Sequence, residues 1–253
     1  MTDDVDPKRR LQIQGTYNMR DLGGYVTQDG RRTRWGRLVR ADSLHRLTSE
    51  TSLQPILDYG IRTVIDLRKS RELQTLSNPF FGSDQVTYYH QNLTGDVHLR
   101  ELADIPASAE LVEAKRRTYP VVLDQRRSQV RETLSLLALP DSLPALFHCS
   151  AGADRTGLIA ALVLGIAGVP QETIAEDYAL SGRFLLARHL DDNPDISADD
   201  MTWQEYERQI CPPDVILDAL QDLEDRHGGI VGYAHAIGLS DAEIESIREA
   251  MVE

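Results

Sequence analysis

Cysteine is scarce in this 253-residue chain: Cys149 and Cys211 are the whole supply, too few for a framework of disulfides. A reducing compartment, with at least one thiol kept for chemistry, fits better than a stapled scaffold. Long hydrophobic runs are lacking too. The longest, LIAALVLGIAGV at 158–169, holds two glycines and falls short of the ~20 residues that span a bilayer, so it reads as a buried helix. The opening MTDDVDPKRRLQIQG has no apolar stretch of the signal-peptide kind. The expected location is therefore cytoplasmic, with signal-less export left open. Net positive charge is missing as well: the formal charge is −13, which argues against a nucleic-acid binder held by phosphate contacts. The charge is uneven, since residues 1–75 carry 14 Lys or Arg against 10 Asp or Glu and are +4, leaving −17 for the rest. Such an N-terminal third suits an anionic substrate, and scattered surface arginines explain it equally well. Of the 27 basic residues 24 are Arg, a bias that reflects genome composition more than function. No repeat, low-complexity tract or Pro/Gly/Ser-rich linker divides the sequence, so one domain over 1–253 and a monomer are expected.

The chain is 41% hydrophobic and 26% charged, as globular proteins are. Its first part reads as β-rich, with LQIQG, a turn at TQDGRR and then GRLVRAD. A helix is expected over Glu50–Tyr59, closed by Gly60 in the left-handed conformation that glycine permits. IRTVIDLRK and VTYYHQNL read as buried strands, rich in β-branched residues. Helices are expected over Ser108–Thr118 and Val121–Leu139, then a strand at LPALFHC and the apolar helix after it. Residues 171–180, 214–226 and 241–252 have helical spacing, the last opened by a Ser240–Glu243 capping box. DDNPDISADD at 191–200 reads as a solvated loop rather than a metal site. Strands alternating with helices imply an α/β fold, a mostly parallel sheet flanked by helices.

The stretch HCSAGADRTG at 148–157 carries the chemistry. A buried strand ends at His148, five residues separate Cys149 from Arg155, and a helix is expected to begin near Thr156. A loop leading into a helix N-terminus turns several backbone N–H groups toward one point, with the positive end of the helix dipole behind them. Gly152 supplies the curvature. Such a cradle binds a tetrahedral oxyanion, and a sulfur at its base is favoured as thiolate by the same groups. Arg155 brings a planar fork for two phosphate oxygens, and Thr156 a hydroxyl for the sulfur when it becomes a leaving group. A nucleotide-binding G-x-x-x-x-G-K-[ST] loop would need a lysine that is not there.

This stretch matches every fixed position of H-C-x-x-G-x-x-R-T-G, the signature of the cysteine-dependent tyrosine phosphatase superfamily. With NMRDLGGY at 18–25 and IRTVIDLR, it resembles the bacterial atypical tyrosine phosphatases of the protein-tyrosine phosphatase B kind, some of them dual-specific or active on phosphoinositides. The resemblance runs from about residue 12 to about residue 180. It implies a tyrosine phosphatase in which Cys149 forms a phosphocysteine and Arg155 holds the transferring group. The backbone of Ser150, Ala151, Gly152, Ala153 and Asp154 would complete the cradle, and His148 would orient the loop. It implies no metal and no cofactor, and a phosphotyrosine protein or small phosphomonoester as partner. A non-catalytic phosphate-binding module is the remaining reading from another class.

A phosphocysteine route needs an acid for the leaving oxygen. Neither Trp35 nor Trp203 is followed by the Pro-Asp of the common mobile acid loop. Asp66, at the end of RTVID, and Asp154, inside the loop where the resembling family carries an Asp, are the candidates, with Asp154 preferred. Asp21 is expected to be structural. The resembling family usually has Lys where this chain has Ala153, which shifts the expectation from polyphosphorylated inositol toward phosphotyrosine unless Arg20, Arg68 or Arg71 compensates. A lid is expected over about 96–118, and Cys211 is expected to be unreactive.

Overall fold

The computed structural model describes residues 5–96, 110–197, 199 and 201–253. Five strands, β1 (Arg20–Asp21), β2 (Leu38–Ala41), β3 (Thr63–Asp66), β4 (Thr87–His90) and β5 (Ala145–His148), form one sheet in the order β1-β2-β5-β3-β4. Only β1 is antiparallel to its neighbour. The other four run in parallel with Ala41, His148, Asp66 and His90 in register, so their carboxyl ends share one edge. Ligand sites of open parallel sheets gather at that edge.

The helices are α1 (Glu50–Asp58), α2 (Ser70–Thr75), α3 (Leu111–Gln125), α4 (Arg127–Leu137), α5 (Asp154–Ile166), α6 (Gln171–Asp192), α7 (Trp203–Ile210), α8 (Pro213–His227), α9 (Ile230–Ala236) and α10 (Asp241–Met251). Side chains alternate across a strand, so each central strand feeds two cores. Val39, Val64 and Leu146 join the smaller core under α1, whereas Leu38, Ile65 and Phe147 join the larger one with α5 and the C-terminal helices. The α5 helix is apolar on every side and lies in the middle of that larger core, which fixes the direction in which its N-terminus points.

The sheet type, the flanking helices and the Ser240–Glu243 capping box match the expectations from sequence, except that VTYYHQNL, expected as a buried strand, gives the edge strand β4 with Thr87 and His90 exposed. The differences are local. LQIQG is no strand; an isolated bridge, Arg10 to Arg20, lies just before it, and Leu11 N–H donates to Met19 O at 3.1 Å. The break expected near Pro120 falls at Arg126 instead. A proline costs a helix one backbone bond, and the buried Tyr119, Val122 and Leu123 hold α3 together around it. Arg126, which reaches back to the Thr94 carbonyl at 2.7 Å, has the non-helical backbone that ends the helix. Most of the segment expected as a lid lies outside the described residues; its last part opens α3. No helix among the described residues is long and apolar enough to cross a membrane.

Candidate active site

The loop from His148 to Asp154 joins β5 to α5, and its carbonyl groups are held one after another, most of them by residues outside it. Leu67 N–H donates to His148 O at 2.8 Å, and the His148 ring Nδ1 lies 3.1 Å from Cys149 O. Ser43 N–H and Arg188 donate to Ser150 O at 3.0 and 3.1 Å. Asn18 Nδ2 donates to Ala151 O at 3.0 Å, and Arg40 donates to Gly152 O at 2.7 Å. Gly157 N–H closes on Ala153 O at 2.7 Å. A trans peptide unit sets its N–H opposite its carbonyl. Anchoring the carbonyls outward therefore turns the N–H groups to the opposite face of the loop. Gly152 makes the tightest part of the turn at φ +69°, where a Cβ would stand 2.5 Å from the Ala41 carbonyl oxygen. The loop rests directly on the end of β2.

The outer anchors are themselves fixed. Asp177 on α6 takes Arg20 Nε at 2.9 Å, Arg40 at 2.5 Å and the Tyr25 hydroxyl at 2.8 Å. Asp177, Arg20 and Arg40 are completely or almost completely buried. Burial alone would raise the Asp177 carboxyl, but the two guanidinium groups hold it well below the usual carboxylate range. Arg20 also donates to the Asn18 side-chain oxygen, so one buried ion-pair network positions both Asn18 and Arg40 against the loop. Asp21 braces the neighbouring turn, accepting from Gly23 N–H at 2.5 Å, Gly36 N–H at 2.8 Å and the Tyr59 hydroxyl at 2.6 Å.

The α5 helix begins at Asp154, two residues earlier than expected from sequence, so Asp154, Arg155 and Thr156 form its first turn. The Arg155 fork closes on both oxygens of Glu72 from α2, at 2.6 and 3.0 Å. Burial opposes the Arg155 charge, and Cys149, Glu72 and Asp154 more than restore it. The Thr156 hydroxyl is buried and has no hydrogen-bond partner among the described residues, the Cys149 sulfur included. A buried hydroxyl in that condition costs about 1–3 kcal/mol, so it is available to a group that reaches it.

The two candidate acids stand in different places. Asp66 is wholly buried behind the loop, bound by Arg68 at 2.7 Å and by Asn78 at 2.9 Å, and it lies 3.4 Å from the His148 ring. Burial would raise it, yet His148 and Arg68 depress it far below the ordinary range, which makes it a permanent carboxylate. Asp154 faces a 420 Å³ cavity that Arg155, Lys69, Lys115 and Tyr119 also line. Its side chain is 42% exposed. Of the arginines expected to compensate for Ala153, Arg20 and Arg68 are buried in ion pairs, although Arg68 lines a 340 Å³ cavity with Arg71, Glu72 and Ser150; Arg71 is exposed beside both cavities. Cys211 is fully buried, and burial pushes its thiol up to about 11.

A model of the tyrosine phosphatase family matches residues 11–253. The chain belongs to that family. A tyrosine-protein phosphatase of Nostoc commune is 30% identical over 226 residues, 83% of this chain and 72% of that protein. The triple specificity protein phosphatase PtpB of Mycobacterium tuberculosis is 25% identical over 287 residues, 95% of this chain and 98% of the relative. Among solved structures, Pseudomonas aeruginosa TpbA (P. aeruginosa TpbA) aligns over 74% of this chain and 86% of its own at 22% identity, with a TM-score of 0.30, too slight a likeness to bear on the site.

Within this tyrosine phosphatase, the signature stretch and NMRDLGGY lie against one another, as the Asn18 to Ala151 bond requires. Sequence reasoning missed Arg40, Asp177, Glu72, Lys115 and Tyr119. Glu72 carried one faint signal, its place three residues after Lys69, whose N–H it accepts at 2.8 Å as the helix opens.

Proposed function

We propose that the chain hydrolyses phosphotyrosine through a phosphocysteine. The observation that carries this is the Cys149 loop with its carbonyl groups anchored outward and Arg155 at its rim. In the first step the Cys149 thiolate attacks phosphorus, the bond from phosphorus to the tyrosyl oxygen breaks, and Asp154 gives its proton to that oxygen. In the second, the Asp154 carboxylate takes a proton from water, the water oxygen attacks phosphorus, and the bond to sulfur breaks. Inorganic phosphate leaves and the thiolate returns. Arg155 and the loop N–H groups bind the three equatorial oxygens throughout, where charge develops. Asp66 takes no proton in this scheme and serves to hold Arg68 and the His148 end of β5.

A second reading, activity on other phosphomonoesters including phosphoinositides, is favoured by Lys69 and Arg71, which line the cavity beside Arg155 without an ion-pair partner among the described residues. Steady-state hydrolysis of a phosphotyrosine peptide and a phosphoinositide by wild type, Cys149→Ser, Asp154→Ala and Asp66→Ala separates these readings. Cys149→Ser is expected to be inactive on both. Asp154→Ala is expected to lose about 10²–10⁴-fold on the peptide, the usual contribution of a general acid. Turnover that survives Cys149→Ser would sink the phosphocysteine route, and binding without turnover in wild type would favour the phosphate-reading module.

A further inference from the structure

Asp154 presents two oxygens in unlike surroundings. Oδ1 accepts from the Tyr119 hydroxyl at 2.5 Å and pairs with the Lys115 ammonium at 2.7 Å, both groups coming from α3. Oδ2 has no partner among the described residues. Lys115 is 7% exposed, and its ammonium also donates to the Ile210 carbonyl at 2.5 Å, so it is fixed at both ends of its reach. The chain has three lysines against 24 arginines, and this is the one ion pair made by a lysine among the described residues. A compact ammonium with three diverging donors can bridge one carboxylate oxygen and a carbonyl; a planar guanidinium fork prefers to take both carboxylate oxygens at once. Lysine at this place therefore leaves Oδ2 free.

We propose that Lys115 is a positioning residue of the reaction, which binds Oδ1 of Asp154 and reserves Oδ2 for the leaving group. This rests on Asp154 being the general acid. The groups around Asp154 are Lys115 and Tyr119 from α3, Tyr178 from α6, whose hydroxyl lies 2.8 Å from that of Tyr119, Arg155 on its own helix, Lys69, Arg71 and Glu72 across the cavity, and Cys149 and Cys211 near Lys115. Burial would raise the Asp154 carboxyl, but Lys115 above all, then Tyr119 and Arg155, hold it below its ordinary value. Tyr119 and Tyr178 are buried and kept protonated, so both remain neutral donors. Cys211 stays a neutral thiol and adds no charge. Lys115 is thus the residue on α3 whose charge Asp154 feels. The same charge favours the carboxylate that the second step needs as base, so α3 biases Asp154 toward hydrolysing the phosphocysteine.

The sign follows. A depressed carboxyl carries its proton only at low pH, so the alkaline limb of kcat/KM on a phosphotyrosine peptide lies at acidic pH in wild type. An opposite charge at this range lowers a carboxyl by about 1–3 units. Lys115→Met should therefore move that limb upward by about one unit or more, whereas Lys115→Arg, which keeps the charge but brings a fork that takes Oδ2 as well, should leave the limb at acidic pH and lower kcat/KM. Tyr119→Phe should move it in the same direction by less. Asp154→Asn is the companion variant. If Asp154→Asn keeps the limb, Asp154 is not the acid, and the assignment falls together with the role of Lys115. If Asp154→Asn abolishes the limb but folded Lys115→Met leaves it in place, only the inference about Lys115 is overturned. Should Lys115→Met fold poorly, carbon-13 titration of the Asp154 carboxyl in wild type decides: a midpoint below the ordinary carboxylate value is expected, and one at or above it overturns the proposal.

Discussion

At the scale of single residues, Gly152 is held by sterics on two counts. Its φ of +69° is strained for any residue with a Cβ, and that Cβ would stand 2.5 Å from the Ala41 oxygen and 2.7 Å from the Asp42 nitrogen, which are backbone atoms that cannot swing aside. Gly152→Ala should push the loop off β2 and reduce kcat/KM at least a hundredfold, with a lower melting temperature; near wild-type turnover would show that the loop tolerates a different path. The two cysteines should separate chemically. Iodoacetate, an anion that the cradle can bind, is expected to alkylate Cys149 at pH 7.5, and peptide mass spectrometry should find Cys211 unmodified because burial holds its thiol up to about 11. Equal labelling of both in the folded protein would contradict this placement of Cys211.

At the scale of elements, the loop is aimed by three neighbours that are distant in sequence. β1 and the turn before it bring Asn18, β2 brings Arg40, and α6 brings Asp177. Removing one partner from a buried ion pair leaves the other charge buried and unpaired, at a cost of about 3–5 kcal/mol. Asp177→Asn should accordingly lower stability by that order and slow turnover, because Arg40 then loses the group that aims it. The pH dependence gives a sharper check. The folded-state Asp177 carboxyl is depressed, so its contribution is fully present above the unfolded value of about 3.9 and is lost as pH falls toward the folded one. The stability gap between wild type and Asp177→Asn, measured by urea unfolding, should shrink below about pH 4 by roughly 1.4 kcal/mol per pH unit. A gap that stays constant from pH 7 to pH 3 would mean that Asp177 is not held as a carboxylate by the arginines. The helix pair α2 and α3 flanks the cavity, with Glu72 on Arg155 from one side and Lys115 on Asp154 from the other. Glu72 caps its own helix while it holds the Arg155 fork, so Glu72→Gln should free the fork and change KM more than kcat.

At the scale of the whole molecule, the function was legible because its chemistry is contiguous. His148, Cys149, Gly152, Arg155 and Thr156 fall within nine residues, and a strand, a tight turn and a helix N-terminus are local structures that neighbouring residues dictate. The parallel sheet was legible for a related reason, since short β-branched runs alternating with helices admit few arrangements. The segment LQIQG misled because an apolar alternation says nothing about whether a partner strand is within reach. Pro120 misled because one missing backbone bond is outweighed by burial on the side of α3 that faces the core. The general acid remained open from sequence for a different cause: Asp66 and Asp154 are the same residue type, and what separates them is the Arg68 and Asn78 pairing of one and the open cavity face of the other. By itself, then, the sequence pointed to the loop between a strand and a helix N-terminus and to Cys149 and Arg155 as its proposed nucleophile and phosphate ligand, because those depend on backbone geometry over a few residues. Only the tertiary structure set the two carboxylates apart, one wholly buried in ion pairs and one facing a cavity, and showed which groups hold the loop, because Asn18, Arg40, Asp177, Glu72 and Lys115 act through contacts across about 40 to 160 residues of chain, where charge and burial depend on the fold and not on the neighbours in sequence.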